Sequence, residues 1–165
     1  MAEARCRESG EGKNGKVAPA EYATAHGLDS KLIRQIAQIH EDDQRYRKNG
    51  YDAKRQTPLD RKNERRIEKL FEHYGKYLGT SLVGTRYNSV MWAVIQHSQP
   101  ETMKKYLPVV HEAVREGELP AGPLRMLIDR IQTEETGKQV FGSQVGVPLL
   151  TEAERKRIAE EYGID

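Results

Sequence analysis

Five stretches of this chain repeat apolar residues at spacings of three and four, and start and stop residues bracket each one. That pattern constrains the chain to a helical fold. Asp29 or Ser30 can cap the first stretch, whose stripe is Leu32, Ile36, Ile39 and Tyr46. Residues 48–56 read as a polar loop. Thr57, Pro58 and Asp60 then read as the start of the second helix, which carries Leu59, Ile67, Leu70 and Tyr74 and stops at Gly75. The third spans residues 85–98 with Val90, Met91, Val94 and Ile95, widened by Trp92. Ser98 and Pro100 open the fourth, and residues 121–133 hold the fifth with Leu124, Leu127, Ile128 and Ile131. Thr151 and Glu154 have the spacing of a capping box for a last helix that ends before Gly163. Thr136-Gly137 is a tight-turn dipeptide, so its flanks at Gln132 and residues 139–144 predict a small hairpin, with Gly142 at a bulge or close backbone approach. The expected fold is mainly α, a compact bundle of five or six helices with one small β-hairpin.

Residues 1–27 lack this period and are rich in charge and glycine. They read as a flexible polar arm, with a short helical turn near residues 18–25, ahead of one helical domain over residues 28–165. Removal of the arm is expected to change stability by no more than ~1 kcal/mol. A length of 165 residues suits one domain. The net charge of +2 gives no case for general nucleic-acid binding. Residues 45–69 are a local exception, with ten Lys/Arg against four Asp/Glu. They read as a solvated helix face or as a non-catalytic adaptor surface for nucleic acid or another anionic partner. The single cysteine, Cys6, excludes an internal disulfide and a cysteine-rich zinc site, and reads as an exposed thiol. No apolar run is long enough to span a membrane, and the N-terminus has no signal-peptide core. The expectation is a cytoplasmic protein, or an exported one whose signal this sequence lacks.

Polar residues interrupt the apolar stripes at fixed places. Asp43 occupies the core side of the first helix, with Gln44 beside it and Arg47 one turn on. Asn63 lies on the apolar face of the second. Gln96 and His97 close the third, and Asp129 and Arg130 lie near the end of the fifth. Gln139, Gly142 and Gln144 surround Phe141. Burying such groups costs a few kcal/mol each unless they meet partners or a ligand.

These blocks resemble those of a bacterial family of small proteins of unknown function. Its members carry Asp-Gln…Arg, then Gln-His, then Asp-Arg, then Gln-aromatic-Gly-(Thr/Ser)-Gln. Here they are Asp43-Gln44 with Arg47, Gln96-His97, Asp129-Arg130, and Gln139-Val140-Phe141-Gly142-Ser143-Gln144. The resemblance covers residues 28–163. Phe141 stands where the family often has tyrosine, Ser143 where it has threonine, and Tyr77-Leu78 where Trp-Pro is common. The resemblance implies no activity. Some relatives look exported or lipid-anchored, which implies the same alternative for this chain.

The chemistry available to this set is binding of a small polar or anionic molecule, with a hydrolase-like acid–base reaction as its catalytic form. His97 can act as acid or base, with Asp43 or Asp129 fixing its tautomer. Arg47 and Arg130 can hold a carboxylate or phosphate. Gln44, Gln96, Gln139, Gln144 and Asn63 can read a polar ligand. A Ser143–His97–Asp129 triad and a glycosidase-like pair of Asp43 and Asp129 can both be drawn. No zinc spacing, glycine-rich phosphate loop or nucleophile elbow exists, so no metal or cofactor is expected. The competing reading is a polar network that only locks helix ends and the hairpin.

Overall fold

The computed structural model describes residues 17–48 and 50–164. Among the described residues the chain forms eight helices and no sheet. They are α1 (Pro19–His26), α2 (Ser30–Gln44), α3 (Ala53–Tyr74), α4 (Thr80–Val83), α5 (Val90–Gln96), α6 (Pro100–Arg115), α7 (Ala121–Thr136) and α8 (Glu152–Tyr162). Cys6 lies outside the described residues.

A helix of seven residues sits at the centre. α5 is apolar on every side and packs against α2, α3, α6 and α7, as an all-round hydrophobic helix must. Met91 and Ile95 are fully buried there. Tyr77 fixes the entry to α5, its hydroxyl donating to the Asn88 carbonyl at 2.7 Å and accepting from the Trp92 N–H at 3.2 Å. Burial pushes that phenol well above its ordinary range, so it stays a neutral donor. Amphipathic helices wrap this centre. α2 buries Leu32, Ile36 and Ile39; α6 buries Met103, Tyr106 and Val110; α7 buries Leu124, Leu127 and Ile128.

Several boundaries differ from expectation for local reasons. α3 starts a turn early because Asp52 caps it, accepting from Arg55 N–H, and Pro58 is carried inside the helix. α5 starts later than expected, after turns over residues 85–89. Ser98 does not cap α6; its hydroxyl bonds back to Val94 C=O at 2.8 Å. The hairpin is absent among the described residues. Gln132 and Thr136 are still helical, and Gly137 at φ +70° is the C-cap of α7 rather than a hairpin turn. One isolated parallel bridge joins Gln139 to Leu149. The capping box at Thr151 and Glu154 is formed as drawn from the sequence.

The expected arm contains a packed helix. α1 lies on α2, with Tyr22 and Ala23 buried. The Tyr22 hydroxyl accepts from Arg86 N–H at 3.3 Å and rests on Gly84, where any Cβ would collide with it. Gly84 has φ +72°, so both space and backbone select glycine here.

Candidate functional site

The seam between α2 and α3 changes character halfway along. Ile67 and Leu70 continue a row whose earlier members are Gln56, Asp60 and Asn63, at i, i+4, i+7, i+11 and i+14. Gln56 and Asn63 are fully buried. Gln56 accepts from Tyr46 N–H at 2.9 Å and donates to Asp42 C=O at 3.0 Å and Asp60 Oδ1 at 2.7 Å, stitching the α2–α3 turn. Asn63 donates to Ile39 C=O at 3.1 Å and accepts from Arg66 at 3.3 Å. It ties the two helices together.

At this polar end lies a carboxylate–histidine pair. Asp43, 1% exposed in the last turn of α2, meets His97 at the C-cap of α5, with Oδ1 2.8 Å from Nδ1. Arg47 Nε also lies 3.3 Å from Nδ1. One nitrogen cannot donate to the carboxylate and accept from the guanidinium at once. The shorter contact to an ionised partner decides it: Nδ1 carries the proton and donates to Asp43. Burial opposes ionisation of Asp43. The hydrogen bond and charge of His97, the Gln44 amide at 2.7 Å and the Arg47 charge outweigh it, so the carboxyl titrates below its ordinary 3.8. The pair leaves Nε2 as the nitrogen with an open lone pair.

His97 opens onto a cavity of about 330 Å³ lined also by Arg47, Tyr51, Asp60 and Arg130. Arg47 is already engaged. Its Nη2 lies 2.8 Å from Asp60 and 3.9 Å from Asp43, and its guanidinium sits over the Tyr51 ring. Arg130, half-buried on α7, makes no ion pair or hydrogen bond among the described residues. The structure thus brings Asp43, Gln44, Arg47, His97 and Arg130 to one place. Asp60 and Tyr51 join them unforeseen: Asp60 read as a helix cap and Tyr51 as part of a loop. The i, i+4, i+7 row of Gln56, Asp60 and Asn63 was the signal for Asp60.

The remaining residues of the set form a second, separate construction. Asp129 on α7 is fully buried and receives four bonds. Val140 N–H (2.7 Å) and Phe141 N–H (2.8 Å) reach Oδ1, while Ser143 N–H and hydroxyl, both 2.8 Å, reach Oδ2. Gln139 closes the same loop, accepting from Gln144 N–H and donating to the Gln144 and Val147 carbonyls, each at 2.7 Å. Gly142 turns beneath it at φ +87°. These residues shape residues 139–149 and do not line the His97 cavity. Ser143 bonds to Asp129 and His97 to Asp43, so the drawn triad is not assembled. Neither Asp43 nor Asp129 lines the His97 cavity, and each is bound to its own set of donors. Gln96 is half-buried next to His97 but outside the cavity lining.

Four of the ten basic residues over 45–69 are internally matched. Arg45 and Arg66 pair with Asp42, Arg47 with Asp60 and Arg55 with Asp52. Among the described residues no His, Cys, Asp and Glu cluster is suited to a metal, and no helix is long and apolar enough to cross a membrane. No protein-family model, curated protein or solved structure matches the chain.

Proposed function

We propose that the His97 cavity binds a small polar anion, with Arg130 clasping it and His97 exchanging a proton with it. One observation carries this reading: a histidine held in a single tautomer by Asp43 opens on the same small cavity as an arginine without a counter-ion. The charges agree. Asp43 and Asp60 balance Arg47 and Arg130 when the imidazole is neutral, but Asp60 and Asp43 both lie against Arg47. Arg130 is left as the local positive centre, and protonation of His97 adds a second. A bidentate guanidinium suits a carboxylate or phosphate. A cavity of about 330 Å³ is at the small end of ligand sites, so the ligand has few atoms.

The Asp43–His97 geometry also supplies an acid–base group. Asp43 orients the ring and stabilises the imidazolium once Nε2 has taken a proton. The family resemblance of the Asp-Gln…Arg, Gln-His and Asp-Arg blocks belongs to this proposal, with those blocks split between the cavity and the loop below it. Calorimetric titration of wild type, Arg130→Gln and His97→Gln with inorganic phosphate and small carboxylates tests the reading. Saturable binding that weakens roughly tenfold or more in Arg130→Gln is expected. No saturable binding of any small oxyanion to the wild type would overturn it. A compound turned over by wild type and merely bound by His97→Gln would make His97 the acid–base residue.

A further inference from the structure

A second groove carries four cations, three of them without a partner among the described residues. It runs between α2 and α3, away from His97, with a volume of about 460 Å³. Lys31 and Arg34 line it from α2, Arg66 and Lys69 from α3, over an apolar floor that includes Ile39 and Leu70. No carboxylate lines it. Lys31, Arg34 and Lys69 have no ion pair or hydrogen bond from their side chains among the described residues. Arg66 is held in place by Asp42 at 2.8 Å and by Asn63.

The placement runs against helix electrostatics. The N-terminus of a helix favours anions and its C-terminus cations. α2 does the reverse: Lys31 and Arg34 stand in its first two turns, and Glu41, Asp42 and Asp43 in its last. Asp42 is accounted for by Arg45 and Arg66, and Asp43 by His97. Among the described residues no ion pair or hydrogen bond accounts for the side chains of Lys31 and Arg34. They add to the positive end of the helix, where only the capping carboxylate of Asp29 offsets them. A local rule broken without internal compensation marks a functional surface.

We propose that this groove binds a compact oligophosphate. Several adjacent cations call for a ligand of several adjacent negative charges. The charged pairs each span one helical turn, Lys31 to Arg34 and Arg66 to Lys69, which suits a short phosphate chain. No aromatic side chain lines the groove, so it lacks the stacking platform of a single-stranded nucleic-acid site. The chain is free inorganic oligophosphate or the phosphate tail of a nucleotide. This inference does not depend on the His97 cavity.

Titration of the full chain with inorganic tripolyphosphate, a nucleoside triphosphate and a short single-stranded oligonucleotide, at matched salt, tests it. Arg34→Gln and Lys69→Gln should each weaken tripolyphosphate binding roughly tenfold. Lys62→Gln, on the exposed surface of α3 outside the groove, should leave it within about twofold. Lys31→Glu should abolish binding while its melting temperature holds or rises, since it removes a cation from the positive end of α2. Equal binding of the two phosphate compounds assigns the free chain, and tighter nucleotide binding assigns the nucleotide; both sustain the proposal. It is overturned if tripolyphosphate does not bind, or if Lys62→Gln weakens binding as much as Arg34→Gln. Tighter binding of the oligonucleotide than of either phosphate compound would overturn it too.

Discussion

Replacing Asp129 separates a structural carboxylate from a catalytic one. In Asp129→Asn, Oδ1 keeps the bonds from Val140 and Phe141 N–H, now to a neutral acceptor. The new amide N–H₂ then faces Ser143 N–H, and two donors oppose each other. The Ser143 hydroxyl can rotate to accept, but the backbone N–H cannot. One buried donor left unpaired costs about 1–3 kcal/mol, and conversion of the other bonds from charged to neutral adds about 1 kcal/mol. The expected loss is about 2–4 kcal/mol, a large share of the ~5–15 kcal/mol typical of a domain. At roughly 2–4 °C per kcal/mol for this size, Tm should fall by about 5–15 °C. Urea unfolding should show a lower midpoint at unchanged slope. Hydrogen exchange should accelerate first at Val140, Phe141 and Ser143. A fully stable Asp129→Asn protein, losing less than about 1 kcal/mol, would refute this role, and lost activity in such a protein would return Asp129 to the chemistry.

Other outcomes follow from the same contacts. Asp43 titrates lower when folded than its ordinary 3.8, so its stabilising contribution is present above that value and lost as pH falls through the lower folded one. Urea midpoints measured from about pH 6 to about pH 3 should therefore fall less steeply in Asp43→Asn than in wild type; parallel curves would contradict the sign. Tyr22→Ala should cost about 3 kcal/mol, against the expectation that residues 1–27 contribute almost nothing, and Gly84→Ala should be destabilising by colliding with the same ring; melting temperatures within a degree of wild type would disprove the packing of α1. Gln56→Ala, which strands Tyr46 N–H and takes one donor each from Asp42 C=O and Asp60, should cost about 2–3 kcal/mol in the same assay.

The sequence spoke most clearly where local rules act alone. Asp29 before Leu32, Pro100 at the first turn of α6 and the Thr151–Glu154 box announce helix ends by short-range chemistry. Pro58 misled because its tolerated first-turn position and an interior position look alike in sequence, and only Asp52 distinguishes them. Thr136-Gly137 misled because a glycine in the left-handed region ends a helix as readily as it turns a hairpin. The site was partly legible. Asp43, Arg47 and His97 stand out as polar residues near helix ends, and these ends meet; Arg130 joins them from the middle of α7, which runs on to Thr136 beyond the end expected near residue 133. Asp129 stands out equally, but a buried carboxylate serving four loop donors has the same sequence signature as one serving a ligand. Asp60 was marked by its row with Gln56 and Asn63, but Tyr51 depends on how α2 and α3 fold back on each other, which spacing along one helix does not encode.

The central claim is that Asp43 fixes His97 with Nδ1 protonated, leaving Nε2 to meet an anion held by Arg130. Nitrogen NMR of the His97 ring measures this directly. The account predicts an Nδ1–H tautomer at neutral pH, lost in Asp43→Asn, and an Nε2 resonance that shifts on phosphate addition in wild type but not in Arg130→Gln. An Nε2–H tautomer in the wild type, or an Nε2 signal indifferent to every oxyanion tried, would contradict it.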